Sequence, residues 1–270
     1  MPGSLSYSIA TVGCNFKCKF CQNADIAQMP SDRNGMIMGD LFSPGDIVDA
    51  ALKGNCKTIA YTYTEPTVFF EFAYDTAKLA HQKGIKNVFV TNGYMTAQAL
   101  NMISPYLDAA NVDLKAYTND FYKTYCGAKL APVKETLKLM KSLGVFVEVT
   151  TLLIPGLNDA RDELEKLAAF LAGSLGTETP WHISRFHPTY RLTDRPSTPV
   201  KTLLMARDIG IEAGLKYVYT GNVPGESAEK TFCYQCGKLL IDRWGFYVRE
   251  NLIENGRCPN CGAEIDGVGL

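Results

Sequence analysis

The sequence predicts an α/β protein: a partial (β/α)6 TIM-like barrel over residues 1–225, then a small cysteine-rich ribbon over residues 226–270. Three observations carry this. Between about Leu5 and Gly221, short apolar and β-branched runs alternate with longer stretches of helical period. Such alternation, with right-handed crossovers, gives either a doubly wound sheet or a barrel of parallel strands. Polar residues then gather just past the ends of candidate strands, at Cys14, Glu65, Asn92, Lys115 and His187. A barrel collects those ends around one mouth, where its chemistry sits, so the clustering favours the barrel. Beyond Glu226 the texture changes to two Cys-x-x-Cys-Gly units, which sets the tail apart.

The candidate strands are 7–12, 58–63, 87–91, 109–114, 145–153, 181–186 and 216–220. Helical stretches fall between them at 44–53, 66–83, 96–103, 133–143, 159–171 and 199–213. Ser43 is placed to cap the first. Gly54, Gly84, Gly144 and Gly214 each close a helical pattern just before the next strand, where a left-handed residue is favoured. Gly221-Asn222-Val223-Pro224-Gly225 reads as a linker. Within the tail, the alternating run from Ile241 to Val248 reads as hairpin.

A composition of 46% hydrophobic and 20% charged residues over 270 positions suffices for one large globular domain with an appendage. Twenty-seven basic against 28 acidic side chains leave a net charge of −1, so nothing draws the chain toward nucleic acid or an anionic membrane. No apolar run approaches the roughly 18 residues of a spanning helix, and Met1-Pro2-Gly3-Ser4 does not open a signal segment. The expected location is the cytoplasm.

Nine cysteines in a reducing compartment point to metal or redox chemistry rather than disulfides. Cys14, Cys18 and Cys21 form one group, Cys233, Cys236, Cys258 and Cys261 another, and Cys56 and Cys126 stand apart. The first group places three thiols within eight residues, on a loop directly after the first strand. Spacings of three and two suit neighbouring corners of one iron–sulfur cube, and three ligands leave the fourth iron open to a small chelating ligand. Zinc is the alternative, although a structural zinc site would demand a fourth protein ligand. Thiols that merely pack as small hydrophobes account poorly for the spacing.

This C-x-x-x-C-x-x-C, with Phe20 before its last cysteine, resembles the signature of the radical S-adenosylmethionine (radical SAM) superfamily. The resemblance implies that Cys14, Cys18 and Cys21 bind a 4Fe-4S cluster whose open iron is chelated by the amino and carboxylate groups of SAM. One electron then cleaves the S–C5′ bond, and the 5′-deoxyadenosyl radical takes hydrogen from a substrate. Tyr63-Thr64-Glu65-Pro66 stands where the superfamily has Gly-Gly-Glu-Pro, so Glu65 would accept hydrogen bonds from the SAM amino group. Without the cysteines, an acidic residue near a helix N-terminus would explain it. Thr91-Asn92-Gly93 and Asp113-Leu114-Lys115 resemble segments of the pyruvate formate-lyase activating enzyme group that reach the SAM carboxylate and ribose. Phe186-His187-Pro188 resembles that group's adenosine contact. The implied cofactor-binding set is Phe20, Tyr63, Thr64, Glu65, Thr91, Asn92, Asp113, Lys115 and His187, with reduced flavodoxin or ferredoxin as electron donor.

From about Gly3 to the C-terminus, the segments Thr11-Val12-Gly13-Cys14-Asn15-Phe16 and Phe20-Cys21-Gln22-Asn23, with the cysteine-rich tail, are similar to AmmeMemoRadiSam-type radical SAM proteins. Three departures stand out. The chain begins only a few residues before the first strand, without the N-terminal extension typical of those proteins. Val90 replaces the Asp that precedes Thr-Asn-Gly in typical activases, which bears on a monovalent cation site beside SAM. Residues 22–41 carry no cysteine, so no ferredoxin segment is inserted.

In the tail, the pairs Cys233-x-x-Cys236 and Cys258-x-x-Cys261 stand 21 residues apart, close to a zinc-ribbon interval. Fewer than 50 residues bury too little apolar surface to order themselves, so a metal held by four thiolates supplies the missing free energy. Zinc in a closed tetrahedral shell is the first choice, mononuclear rubredoxin-like iron the second and an auxiliary 4Fe-4S cluster the third. Cys56 reads as core, as do Trp181 and the run Phe69-Phe70-Glu71-Phe72. Cys126, in a tyrosine-rich loop on the mouth side, reads as packing, with a hydrogen-donating thiol or tyrosine there as the alternative.

The expected activity is that of a radical SAM oxidoreductase breaking a substrate C–H bond, as a glycyl-radical-enzyme activase or as a modifier of a small molecule or peptide. A metal-dependent scaffold that binds a partner through its ribbon is the non-enzymatic alternative.

Overall fold

The structure, a computed structural model, describes residues 1–223, 229–245 and 247–270. Its strands β1 (Ser6–Ile9), β2 (Thr58–Tyr61), β3 (Lys86–Thr91), β4 (Ala109–Asp113), β5 (Phe146–Leu153), β6 (Trp181–Arg185) and β7 (Val218–Gly221) form one sheet in chain order. Their registers are parallel, as in Ser6↔Thr58, Thr58↔Lys86 and Val88↔Ala109. A doubly wound sheet reverses its winding at an internal strand. The sequential order observed is that of a barrel topology, and six strand-to-helix steps followed by β7 account for the expected six units.

The intervening helices are α1 (Pro44–Lys53), α2 (Phe70–Gln82), α3 (Ala97–Ile103), α4 (Leu130–Ser142), α5 (Arg161–Phe170) and α6 (Val200–Glu212). Ser43 caps α1 in a reciprocal box with Asp46: Asp46 N donates to Ser43 Oγ, and Ser43 N donates to the Asp46 carboxylate. Gly84, Gly144 and Gly214 take left-handed φ as expected, but Gly54 does not. There Asn55, at φ 51°, makes the turn one residue later. Strands β1 and β2 stop short of their expected ends at 12 and 63, because the residues beyond turn away into the site loops.

The chain forms two compact units, one of Leu5–Glu148 with His187–Pro196, the other of Met1–Ser4, Val149–Phe186 and Ser197–Leu270. The first holds β1 to β4 and every residue of the expected SAM site. Its core is built from Ile59, Tyr61, Phe89, Ala110 and Val112 on the strands and Ala77, Leu100, Leu137 and Met140 on the helices. In the second unit Trp181 is fully buried and donates its indole N–H to Thr151 Oγ1 at 3.0 Å, a packing role as expected. Cys56, expected in the core, is half-buried beside the Gly54 carbonyl. Pro224, Gly225, the expected boundary at 225/226 and Phe246 lie outside the described residues. No helix among the described residues is long and apolar enough to cross a membrane.

Gly93, just past β3, holds φ 71°, and a Cβ there would stand 2.8 Å from Val112 Cγ1 and 3.3 Å from Val133 Cγ1. Gly93→Ala should therefore destabilise the fold by about 1–3 kcal/mol, read as a lower urea midpoint.

Candidate metal and cofactor site

Glu65 is the centre of the mouth. Its residue is 1% exposed, and its carboxylate accepts four hydrogen bonds. Oε1 takes Thr67 N at 3.1 Å, Thr67 Oγ1 at 2.6 Å and Thr91 Oγ1 at 2.8 Å. Oε2 takes Asn92 N at 2.8 Å. Burial still pushes the Glu65 pKa up, against those donors. Asn92 carries the network onward: its Nδ2 donates to Asn15 Oδ1 at 2.7 Å and to Cys14 Sγ at 3.7 Å. Asn15 in turn donates to the Tyr94 carbonyl at 3.0 Å.

The loop after β1 carries Cys14 and Cys21, partly exposed, and Cys18, buried. Cys14 Sγ also accepts from Phe16 N at 3.4 Å. Burial pushes the Cys14 thiol up to about 12 and raises Cys21 as well. Cys18 is raised by its hydrogen-bond partner Cys126 and by burial. A loop that disfavours bare thiolates while aiming donors at a sulfur suits a bound cation that supplies the compensating charge. These residues therefore fit a cluster held by three thiolates.

The remaining expected residues stand as follows. Tyr63 is 55% exposed at φ 64°, and its carbonyl accepts Asn23 Nδ2 at 2.9 Å. Thr64 is buried and donates to the Thr11 carbonyl at 2.8 Å. Lys115 is disfavoured as a cation by burial, but Asp113 at 2.6 Å outweighs this and its pKa is raised. Phe20 is buried against Phe121, with ring centroids 5.6 Å apart, as support beneath the loop. His187 is exposed two residues past β6. Its segment is fastened to the cysteine loop by Arg191 N to the Lys19 carbonyl at 2.9 Å, and to Asp32 by Arg191 and Tyr190 at 2.7 Å each.

Sequence reasoning passed over Asn15, the bond of the Tyr122 hydroxyl to Lys115 N, and the backbone bonds from Lys17 N and Lys19 N to the Cys126 and Tyr125 carbonyls. Tyr122 is fully buried and its hydroxyl accepts from Lys115 N at 3.0 Å.

In the tail, β8 (Thr231–Phe232), β9 (Leu239–Trp244) and β10 (Tyr247–Asn251) form an antiparallel sheet. The two knuckles are alike. Gly237 N donates to the Cys233 carbonyl and Gly262 N to that of Cys258, both at 2.9 Å, while Cys233 N reaches Lys238 O at 2.8 Å and Cys258 N reaches Ala263 O at 2.9 Å. All four sulfurs lie within 4.8 Å of one another, with Cys233–Cys261 at 3.6 Å and Cys236–Cys258 at 3.7 Å. Tetrahedral metal–sulfur bonds of about 2.3 Å place sulfurs ~3.8 Å apart, so this cage can hold a single ion. It is too tight for a cubane, whose ligand sulfurs stand outside four irons and four sulfides.

A family profile described as the Radical SAM superfamily matches residues 8–171. The chain belongs to the radical SAM superfamily. Radical SAM catalysis is the activity this membership supports, with SAM and a 4Fe-4S cluster as the cofactors the family implies. The uncharacterized protein MJ0808 of Methanocaldococcus jannaschii is 49% identical over 269 residues, 99% of this chain and 79% of that protein. A pyruvate formate-lyase-activating enzyme of Clostridium pasteurianum is 24% identical over 177 residues, 63% of this chain and 72% of its own. Among solved structures, a radical SAM methyltransferase from Sphaerobacter thermophilus superposes with a TM-score of 0.60 at 19% identity, over 88% of this chain and 71% of that one. This likeness shows the fold.

Glu65→Ala would leave the donors of Thr67, Thr91 and Asn92 buried without an acceptor, a loss of ~3 kcal/mol that urea unfolding should register.

Proposed function

We propose that this radical SAM enzyme activates a glycyl-radical enzyme, taking a hydrogen atom from the Cα of a glycine in a partner protein. The observation that carries this reading is the match to a pyruvate formate-lyase-activating enzyme over 63% of the chain. In this reading Cys14, Cys18 and Cys21 hold the 4Fe-4S cluster, and reduced flavodoxin or ferredoxin supplies the electron. When bound, the cluster and SAM together supply a 5′-deoxyadenosyl radical.

The chain's own residues bind and orient. Glu65 Oε2 has one donor where Oε1 has three, so it keeps accepting capacity for the SAM ammonium. Lys115, kept protonated by Asp113, offers a positive charge to a carboxylate or ribose oxygen. Asn92 and the Phe16 N–H donate to the Cys14 sulfur and fix that corner of the loop. Thr64, Thr91 and Phe20 brace these groups, while Tyr63 and His187 form the exposed rim. The ribbon, in this reading, holds one zinc in a closed shell of Cys233, Cys236, Cys258 and Cys261, in a structural role.

Anaerobically loaded protein, reduced in the presence of SAM, should form 5′-deoxyadenosine, and Cys18→Ala should reduce this to background. With a partner carrying α-deuterated glycine, label should enter the 5′-deoxyadenosine and a glycyl radical should appear by electron paramagnetic resonance. Label arriving only from small molecules or free peptides would overturn the activase reading and leave a modifying enzyme. Metal analysis should find one zinc per chain beyond the cluster iron, and Cys258→Ser should lose it along with the protease resistance of the tail. A rubredoxin-like visible spectrum in place of zinc would instead assign iron.

A further inference from the structure

The chain carries a net charge of −1, yet one patch of its surface is strongly basic. It lies on the solvent-facing side of the cysteine loop. From Asn15 to Phe20 exposure alternates: Asn15, Lys17 and Lys19 are exposed, and Phe16, Cys18 and Phe20 are buried. Two lysines thus flank Cys18. The π-helical turn Tyr122–Cys126 packs against them, because Lys17 N donates to the Cys126 carbonyl at 2.8 Å and Lys19 N to the Tyr125 carbonyl at 2.9 Å. A Cβ on Gly127 would lie 3.6 Å from that of Lys17. This second stretch presents Lys123 and Lys129 to solvent. Residues 14–24 and 121–134 contain no Asp or Glu, and none of the four lysines is in an ion pair among the described residues. Lys129 is the N-cap of α4, whose first turn holds no acidic residue, so the positive end of the helix dipole adds to the patch. Like charges gathered in this way repel, and the folded chain gains no stability from them.

The middle of the patch is aromatic. Tyr125 is half-buried, with the Lys19 ammonium 5.3 Å from its ring centroid. Its ring packs on Phe121 at 5.1 Å, and Phe121 packs at 5.6 Å on Phe20, the residue before Cys21. A packed path therefore runs from the patch to a cysteine of the loop.

We propose that Lys17, Lys19, Lys123 and Lys129 form the docking surface for an electron-carrier protein with an acidic face. This rests on the assignment of Cys14, Cys18 and Cys21 to the cluster, and it deepens the reading that a protein supplies the electron. The carrier loses one electron and the cluster gains it, with no bond made or broken. Transient redox encounters bury little surface, below about 1,200 Å², and take their orientation and on-rate from charge, which suits lysines around one tyrosine. None of the four lysines belongs to the set that holds SAM.

The test follows 5′-deoxyadenosine formation by the loaded full chain, with reduced flavodoxin as the probe and dithionite as a small reductant that needs no docking. In the triple variant Lys17→Gln, Lys19→Gln, Lys123→Gln, the KM for flavodoxin should rise by about tenfold, while the dithionite-driven rate stays within about twofold of wild type. Added salt should raise the KM of wild type and move that of the variant much less. Lys129→Gln alone, distant from the cysteines in sequence, should give part of the same shift if the triple variant loads poorly, and Lys83→Gln at the end of α2 should give none. An unmoved KM in both Lys129→Gln and the triple variant would overturn the proposal, as would a dithionite-driven rate that falls as far as the flavodoxin-driven one. Salt-resistant retention of wild type, but not the variant, on single-stranded RNA at about 0.15 M salt, with the flavodoxin KM unmoved, would overturn it in favour of a nucleic-acid surface. The activase reading fails separately. If the KM shifts as expected but no glycyl radical forms on a partner, that reading falls and the docking surface stands; a glycyl radical with an indifferent KM sinks the docking surface alone.

Discussion

A buried carboxylate holds the mouth together. Removing a charge from water costs several kcal/mol unless hydrogen bonds replace the solvent, and Glu65 receives four from Thr67, Thr91 and Asn92. The acceptor follows β2 and two of the three donor residues lie at the end of β3 or just beyond it. They meet because β2 and β3 pair in parallel with Tyr61 opposite Phe89, which brings the two loops out at the same level. Asn92 then passes the constraint to Asn15 and Cys14. Strand register thus fixes a sulfur that lies 78 residues away in the chain.

The two sulfur sites solve the same electrostatic problem differently. In the loop after β1 Cys18 is buried and Cys14 and Cys21 are half-buried, and the surroundings favour the protonated thiols, with Cys14 raised to about 12. A thiolate formed there needs a compensating positive charge beside it. In the tail the sulfurs are already gathered, with pairs 3.6 and 3.7 Å apart, around a space for one ion. The apolar core beneath them is small: Leu240, Ile241, Ala263 and Ile265, completed by Tyr217 from the segment leading into β7. Tyr217 also donates to Asp266 Oδ2 at 3.0 Å and Lys216 pairs with the same carboxylate, so the ribbon leans on the edge of its own compact unit. A core of that size cannot by itself order the tail, which is why four thiolates there argue for a metal.

The sequence made the strands and long helices legible because their apolar periodicity is local and repeated, and helix α1 begins and ends where Ser43, Pro44 and Lys53 say it should. The cysteine groups were legible because their spacing is local too. Other features depend on what the fold brings together. Asn15 sits between two motif cysteines and meets Asn92 across 77 residues, a contact with no local signal. The carbonyls of Tyr125 and Cys126 meet Lys19 N and Lys17 N at the end of a π turn, and nothing in Tyr-Lys-Thr-Tyr-Cys distinguishes that turn from an ordinary helical one. The short helices Ala24–Ala27 and Met29–Asp32 are below the length at which periodicity can be read.

Tyr63 shows how the cysteine loop and the Glu65 loop depend on each other. A non-glycine residue at φ 64° costs on the order of 1 kcal/mol, and it stands where the superfamily pattern has glycine. The turn is held on both sides: Asn23, two residues after Cys21, donates to the Tyr63 carbonyl, and Thr64 donates to the carbonyl of Thr11, three residues before Cys14. The cysteine loop therefore clamps the strained turn that presents Glu65, and the turn in return anchors both ends of the loop. Packing does not offset the strain, because the ring is 55% exposed. A phenol that neither fills the core nor relaxes its own backbone leaves the turn to be held by these two hydrogen bonds alone.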